Sequence, residues 1–220
     1  MKHVSIKSLA LTATAAALLG GALSACVPLA MGGAMAGGSL VATDRRTSGA
    51  QLEDEGIELR GVSRIRSNVG DRVHVNLTSY NRQVLLTGEV PNEQDKQLVE
   101  QIVSRVENVN TVVNELVVSG HSTLTQRSSD ALVTGRVKAM LLDARDLFSN
   151  AFKVTTERGT TYLMGRVTQR EADRATAIVR GTPGVQKVVR IFEIISEEEL
   201  ARQLPSPAKP QPASTKPAGG

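Results

Sequence analysis

The sequence predicts an α+β protein of the α/β-sandwich type, made of two tandem modules that share the order αββαβ. Two observations lead to this fold class. The strand-like run at residues 84–90 returns about 77 residues later at 161–167. A helix-like segment follows each run, and a second β-branched run follows each helix, at 108–114 and 184–190. A repeat of this kind indicates two copies of one small unit, each with a three-stranded mixed sheet packed on two helices.

Length and composition limit the class of protein. The chain has 220 residues, so two modules of about 70 residues each lie near the lower limit for an independent hydrophobic core. Aromatic residues make up 2% of the sequence and Trp is absent, so the cores must be built from Val, Leu, Ile and Ala. Such cores favour thin packed layers over a deep substrate cavity, which argues against an enzyme.

Residues 1–25 have the pattern of a secretory signal peptide. A basic start precedes an apolar run over 9–23, and small residues lead to Cys26. Leu23-Ser24-Ala25-Cys26 looks like a bacterial lipobox, in which the cysteine carries S-diacylglycerol and an N-acyl chain. Cys26 is the only cysteine, so a disulfide cannot explain it. The alternative is an ordinary signal peptide with an incidental cysteine. No cofactor is expected beyond these covalent lipids.

Acylation of Cys26 would hold the chain on a membrane. Each buried CH₂ contributes about 0.8 kcal/mol, so two or more acyl chains anchor a protein stably. Residue 27 is Val rather than the Asp associated with inner-membrane retention of lipoproteins, so the outer membrane is the expected location. Residues 26–51, rich in Gly and Ala, are predicted to form a flexible tether with a root-mean-square span of roughly 25 to 30 Å.

The first module is predicted over residues 52–119. Its first helix is indicated by apolar residues at three-residue spacing, namely Leu59, Val62 and Ile65. Apolar residues then alternate with polar ones around a turn at Asn81-Arg82, which is typical of a β-hairpin. The predicted elements are a helix over 52–68, a hairpin over 73–90, a helix over 93–107 and a strand over 109–118.

The second module is predicted over residues 128–195, after a polar linker at 120–127. Ser129 and Asp130 are predicted to cap a helix that runs to Ala144. A turn at 158–159, a helix over 170–180 and a strand over 185–195 repeat the order of the first module. Residues 196–220 begin with a short acidic helical extension and continue as a Pro-rich tail, which is predicted to be disordered.

Helical periodicity divides the 130–144 helix into two faces. Its inward stripe is predicted to contain Val133, Val137, Met140 or Leu141, and Ala144. The residues left outside are Ala131, Leu132, Gly135, Arg136, Lys138, Ala139 and Leu142. Apolar side chains beside cations are the ingredients of a helix that binds at a membrane surface. The alternative is that Leu132 and Leu142 pack against the first module.

Charge is distributed unequally between the modules. Residues 44–119 carry 9 basic and 12 acidic side chains, whereas residues 129–195 carry 11 basic and 7 acidic ones. The second module is therefore the better candidate for an anionic partner. The overall formal charge of +4 is too small to indicate nucleic-acid binding.

The two modules resemble BON domains. Both have a Gly-x-Val strand end, at Gly88 and Gly165, and both begin the last strand with a Val-x-x-Val sequence, at Val109 and Val185. With the lipobox, the tether and the segment at 43–47, the arrangement resembles the dual BON-domain outer-membrane lipoproteins. The resemblance implies a non-enzymatic lipoprotein on the periplasmic face of the outer membrane, concentrated at division sites and needed for envelope integrity.

The resemblance also implies a partner and a site. The second module would bind anionic phospholipid such as phosphatidylglycerol through its first helix, which here is 130–144. This role is carried over to the seven outward residues defined above. A second hypothesis is a protein-interaction scaffold for envelope-assembly or cell-wall factors, which the acidic first module and the Pro-rich tail would suit.

No catalytic or metal site is predicted. His74 and His121 have no Cys, His or paired carboxylate at ligand spacing, so both are interpreted as surface histidines. No serine lies in a Gly-x-Ser-x-Gly turn. Gly88 and Gly165 are isolated strand glycines, interpreted as bulges or points of close packing rather than phosphate-binding loops.

Overall fold

The computed structural model describes residues 44–203, which all lie in one compact unit. The predicted signal peptide, Cys26, the tether up to residue 43 and the tail from residue 204 lie outside the described residues. The fold is mixed α and β, with two small mixed sheets, and the predicted αββαβ order is confirmed in both modules.

The first module contains helix α1 (Ser48–Val69), a 3₁₀ turn, the hairpin β1 (His74–Tyr80) and β2 (Gln83–Val90), helix α2 (Glu93–Ser104), and the short strands β3 (Thr111–Asn114) and β4 (Val117–Val118). Strand β2 lies in the middle of the sheet, antiparallel to β1 and parallel to β3 and β4. The single last strand expected at 109–118 is thus split in two. The Asn114 side chain accepts a hydrogen bond from the Leu116 amide at the break.

The buried face of α1 is not the apolar stripe that indicated the helix. Its buried residues are Asp54, Ile57, Gly61, Ile65 and Val69, whereas Leu59 is 75% exposed and Val62 is 49% exposed. Buried residues therefore recur at three- and four-residue spacing from Asp54. The helix predicted from Leu59, Val62 and Ile65 is present, but only Ile65 of these three residues is buried. Gly61 gives no apolar signal in the sequence, although a Cβ there would lie 2.4 Å from Leu77 Cδ1.

The second module contains helix α3 (Leu124–Asp143), a 3₁₀ turn, the hairpin β5 (Phe152–Glu157) and β6 (Thr160–Val167), helix α4 (Gln169–Arg180), and strand β7 (Lys187–Ile194). Strand β6 is antiparallel to β5 and parallel to β7. Helix α5 (Glu197–Gln203) follows, with Leu200 buried. The short helical extension predicted at the start of 196–220 is therefore confirmed, and residues up to 203 are ordered.

One aspartate in each module holds the hairpin turn against the preceding helix. Asp54 accepts hydrogen bonds from the backbone amides of Asn81 and Arg82 at 2.7 and 2.8 Å. Asp130 accepts equivalent bonds from the amides of Arg158 and Gly159 at 2.8 and 2.9 Å. All four turn residues have positive φ angles, so their amides point away from the strand ladder and need such acceptors.

The two sheets pack face to face. Each sheet covers its own pair of helices on one side, and the other sides meet in an apolar cluster of Tyr80, Leu85, Tyr162, Met164 and Ile191, all at least 93% buried. The layers are therefore helices, sheet, sheet, helices. As a result, the central strands β2 and β6 are buried on both faces, and the helices of the second module face away from the first sheet.

Candidate functional site

Helix α3 begins earlier than predicted. Thr123 is its N-cap and forms a capping box with Gln126, in which the Thr123 side chain accepts from the Gln126 amide and the Gln126 side chain accepts from the Thr123 amide. A box of this kind satisfies two orphan donors at once. Ser129 and Asp130, which the sequence analysis took as caps, lie inside the helix, and the predicted linker 120–127 is correspondingly shorter.

The predicted division of α3 into two faces agrees with the structure. Val133, Val137 and Leu141 are buried, and Leu141 rather than Met140 occupies the inward stripe. All seven predicted lipid-binding residues are exposed: Ala131, Leu132, Gly135, Arg136, Lys138, Ala139 and Leu142. Leu132 is 64% exposed and Leu142 is 72% exposed, so the first module does not cover them. The alternative that these leucines fix the angle between the modules is therefore excluded.

Three further apolar residues extend this surface and were missed. Leu124 is 79% exposed, Met140 is 45% exposed, and Phe148, just after the helix, is 42% exposed. Leu124 was missed because its segment had been assigned to a linker. Thr123 and Gln126, at the spacing of a capping box, were the signal that could have found it. We call Leu124, Phe148, Met140 and the seven predicted residues the α3 surface.

The cations of the α3 surface are not neutralised by ion pairs. Among residues 44–203, neither Arg136 nor Lys138 forms a salt bridge, and Arg136 only donates a hydrogen bond to the Pro183 carbonyl at 3.4 Å. The equivalent helix of the first module differs. Its Arg60 pairs with Glu53 at 2.6 Å, and although Arg64 and Arg66 form no salt bridge among residues 44–203, Glu55 and Glu58 line the same groove as its exposed apolar residues.

The C-terminal half of α3 borders an open groove. Lys138, Leu141 and Leu142 form one wall, and Asp44 and Gln51 form the other. Phe152 and Val154 of β5 lie at its base. Residues at the start of the described chain therefore lie beside the α3 surface.

Residues 44–51 are ordered, contrary to the prediction of a flexible tether to residue 51. Arg45 makes a bidentate ion pair with Glu171 of α4, with both N–O distances 2.7 Å, and donates a third bond to the Arg166 carbonyl. Both side chains are at least 95% buried. Burial alone would raise the pKa of Glu171, but Arg45 and the Thr168 amide lower it below the usual value. The segment thus joins the start of the first module to the second.

Arg46 forms ion pairs within the first module and contacts Tyr80, which bonds to the second module. Its guanidinium pairs with Asp44 and Asp54 at 2.8 Å and lies 4.4 Å from the centroid of the Tyr80 ring. The Tyr80 hydroxyl accepts from the Arg166 amide and donates to the Ala151 carbonyl, both in the second module. Burial raises the pKa of Tyr80 to about 12, so the hydroxyl stays protonated and keeps its donor bond.

The interpretation of His74 as an isolated surface histidine is wrong. Its Nδ1 lies 2.9 Å from Glu89 Oε2, and Glu157 of the second module completes a group whose potential ligand atoms all lie within 4.8 Å of one another. The pairing of His74 with Glu89 could have been found by counting outward from the turn at Asn81-Arg82. Glu157 could not, because it comes from the other sheet.

Within residues 44–203, no helix has the length and apolarity needed to cross a membrane.

Comparison with known proteins agrees with this architecture. The BON domain family matches residues 61–120 and 129–195, which together make up more than half of the chain. The chain is 37% identical to the outer membrane lipoprotein DolP of Haemophilus influenzae, over 86% of this chain and 97% of that protein. The chain belongs to the DolP family of dual BON-domain outer-membrane lipoproteins.

Two other similarities are more distant. A 21 kDa hemolysin of Actinobacillus pleuropneumoniae is 27% identical over 69% of this chain and 79% of that protein. The C-terminal domain of CdsD, a structural protein of the type III secretion system of Chlamydia trachomatis, superimposes with a TM-score of 0.28 and 13% identity, over 63% of this chain and 96% of that one. The structural similarity to the CdsD domain is too low to support any argument about this chain.

Proposed function

We propose that this family member is a non-enzymatic lipoprotein that binds anionic phospholipid through the α3 surface. The observation that carries the proposal is the combination on α3 of exposed leucines with cations that lack carboxylate partners among the described residues. Apolar side chains can enter the acyl boundary while Arg136 and Lys138 meet phosphate headgroups. Glu55 and Glu58, which lie beside the exposed apolar residues of α1, make the first module the poorer candidate.

The expected affinity is weak. Each Lys or Arg near an anionic surface contributes about 1 kcal/mol, so Arg136 and Lys138 together give roughly a 30-fold preference for anionic over neutral membranes. Weak binding is sufficient if Cys26 is acylated, because an anchored chain stays at a high effective concentration of lipid. The lipids on Cys26 would place the protein on the periplasmic face of the outer membrane, where phospholipid binding would serve envelope integrity, including at division sites.

The direct test is a lipid titration followed by NMR. Residues 44–220, which contain every contact described above, are titrated with micelles containing phosphatidylglycerol and, separately, with phosphatidylcholine micelles. Chemical-shift changes are expected along 124–148 with phosphatidylglycerol, and they should weaken as salt is added because the contacts are partly electrostatic. Changes spread evenly over both modules, or none, would reject the proposal.

Matched variants test whether vesicle binding requires the α3 surface or can be supplied by any exposed apolar side chain. The double change Leu132→Ser and Leu142→Ser should strongly reduce flotation with phosphatidylglycerol vesicles, because it removes two of the large apolar side chains of the α3 surface. The control, Leu59→Ser and Val62→Ser, makes the same kind of change at exposed positions of α1 and should leave flotation intact. Equal loss in both double variants would show that binding is not specific to α3.

A protein-interaction role has one observation in its favour. Leu59 and Val62 of α1 are exposed and border a groove that also contains Glu55, Glu58 and Arg66. Such a strip could dock an envelope-assembly factor while the anchor only determines location. Photo-crosslinking from position 59 in cells tests this role. Adducts that persist when Leu132 and Leu142 are changed to Ser, with unaltered localisation, would favour the scaffold over the lipid binder.

A further inference from the structure

We propose that His74, Glu89 and Glu157 form a binding site for one divalent transition-metal ion, such as Zn²⁺, that bridges the two modules. His74 and Glu89 face each other across the β1–β2 hairpin, and Glu157 ends β5 of the second module. Imidazole nitrogen with two carboxylates is a donor set that Zn²⁺ accepts, with a fourth position left for water. The site goes beyond the proposed lipid binding and does not depend on it.

The geometry is close to what a metal requires. His74 Nδ1 and Glu89 Oε2 lie 2.9 Å apart, and all three ligand atoms lie within 4.8 Å of one another. Two donors on one tetrahedral Zn²⁺ are about 3.4 Å apart, so small side-chain rotations would complete the arrangement. The His121 ring lies 6.5 Å from the His74 ring between centroids, which makes it the nearest additional imidazole.

The carboxylates are held in place by other groups. Asn76 donates to Glu157 Oε2 at 2.7 Å, and Ser122 donates to Glu89 Oε2 at 3.2 Å. Arg158 approaches Glu89 from its other oxygen, at 3.4 Å, so it does not block the side that faces His74. Outer contacts of this kind orient the ligands of metal sites.

The local charge also favours a cation. Glu89 is fully buried and Glu157 is 8% exposed, so two carboxylates lie in a poorly solvated space between the sheets. Among residues 44–203, Arg158 is the one arginine or lysine that forms a salt bridge with either of them, and Arg127 lines the same groove as His74 and Glu157. A bound divalent ion would offset this excess of negative charge.

Calorimetric titration of Zn²⁺ tests the site. The full chain is used in detergent, with His3→Asn and Cys26→Ser to remove other ligands and without a histidine tag. We expect one Zn²⁺ per chain and a rise of the unfolding temperature with Zn²⁺, because the ion binds only the folded arrangement of both modules. In His74→Asn and in Glu157→Gln, binding should be at least about 10-fold weaker.

The matched control is Glu193→Gln. Glu193 also joins the modules, since it accepts a hydrogen bond from Asn81 at 2.8 Å, but it has no histidine beside it. This variant should bind Zn²⁺ as the parent does. Absence of stoichiometric binding by the folded parent, or equal binding by the parent and by both cluster variants, would overturn the proposal. Circular dichroism confirms folding, and His74→Asn keeps an amide that can still bond to Glu89.

Discussion

Gly88 and Gly165 occupy equivalent positions in the two modules because a backbone carbonyl approaches each of them. A Cβ at Gly88 would lie 2.1 Å from the His74 carbonyl oxygen, and Gly88 also has a φ angle of 116°. A Cβ at Gly165 would lie 2.5 Å from the Ala151 carbonyl oxygen. The interpretation of both as points of close packing, made from the sequence alone, is therefore confirmed.

Replacement of Gly88 by Ala should destabilise the protein by roughly 3 kcal/mol or more, because the new methyl group meets backbone that cannot move without breaking the β1–β2 ladder. The same substitution at Gly135 should stabilise it by about 0.5 to 1 kcal/mol, since that helical position is exposed with nothing within 4 Å. Urea-induced unfolding of both variants measures the difference. Effects of the same sign would contradict the packing argument.

At the scale of single elements, the sequence predicted α3 better than α1. Val133, Val137 and Leu141 recur at four-residue spacing, so the inward face was predicted correctly and only the choice between Met140 and Leu141 was left open. In α1 the buried face contains Asp54 and Gly61, which do not contribute to an apolar pattern. Leu59 and Val62 are apolar but exposed, so they suggest a different face. The polarity pattern does not predict the buried face of a helix where a buried carboxylate such as Asp54 binds a turn, or where a glycine such as Gly61 leaves room for a neighbouring side chain.

The start of α3 gives a test of the element itself. Thr123→Ala removes the N-cap oxygen and should cost about 1 kcal/mol of stability. Ser129→Ala should change stability by no more than about 0.5 kcal/mol, because Ser129 is exposed inside the helix and Ala is the better helix former. Thermal unfolding of the two variants under identical conditions measures this. A larger loss in Ser129→Ala would instead support the later start that the sequence suggested.

Across the whole molecule, the contact between the two sheets was the feature least accessible from the sequence. The repeat predicted two modules, and the continuous apolar runs in β2 and β6 agree with strands buried on both faces. Nothing in the sequence indicated that each sheet covers the other. Arg45 lies 126 positions from Glu171, and no local pattern connects the two. The group formed by His74, Glu89 and Glu157 was missed for the same reason.

The Arg45–Glu171 pair should make the stability of the whole molecule depend on pH in a defined direction. In the parent, the folded-state pKa of Glu171 lies below the usual value of 4.5 because Arg45 and the Thr168 amide outweigh burial. The pair therefore contributes its full stability above pH 4.5, and this contribution is lost as the pH falls through the folded-state pKa of Glu171. Arg45→Ala leaves a buried carboxylate without its cation, which should cost about 3 to 5 kcal/mol at pH 7.

The stability of the Arg45→Ala variant should change with acid in the opposite direction from that of the parent. With Arg45 gone, burial raises the folded-state pKa of Glu171 above 4.5, so the variant regains stability as the pH falls from that raised pKa towards 4.5. The parent loses its own stabilisation as the pH falls below 4.5, so the deficit of the variant relative to the parent should shrink from pH 7 towards pH 3. Urea unfolding at pH 7, 5, 4 and 3 measures this difference. Arg170→Ala is the control, because Arg170 is 56% exposed and 4.0 Å from Glu171, and its loss should cost less than about 1 kcal/mol. A deficit in Arg45→Ala that stays constant from pH 7 to 3 would mean that Arg45 acts by packing rather than through its charge.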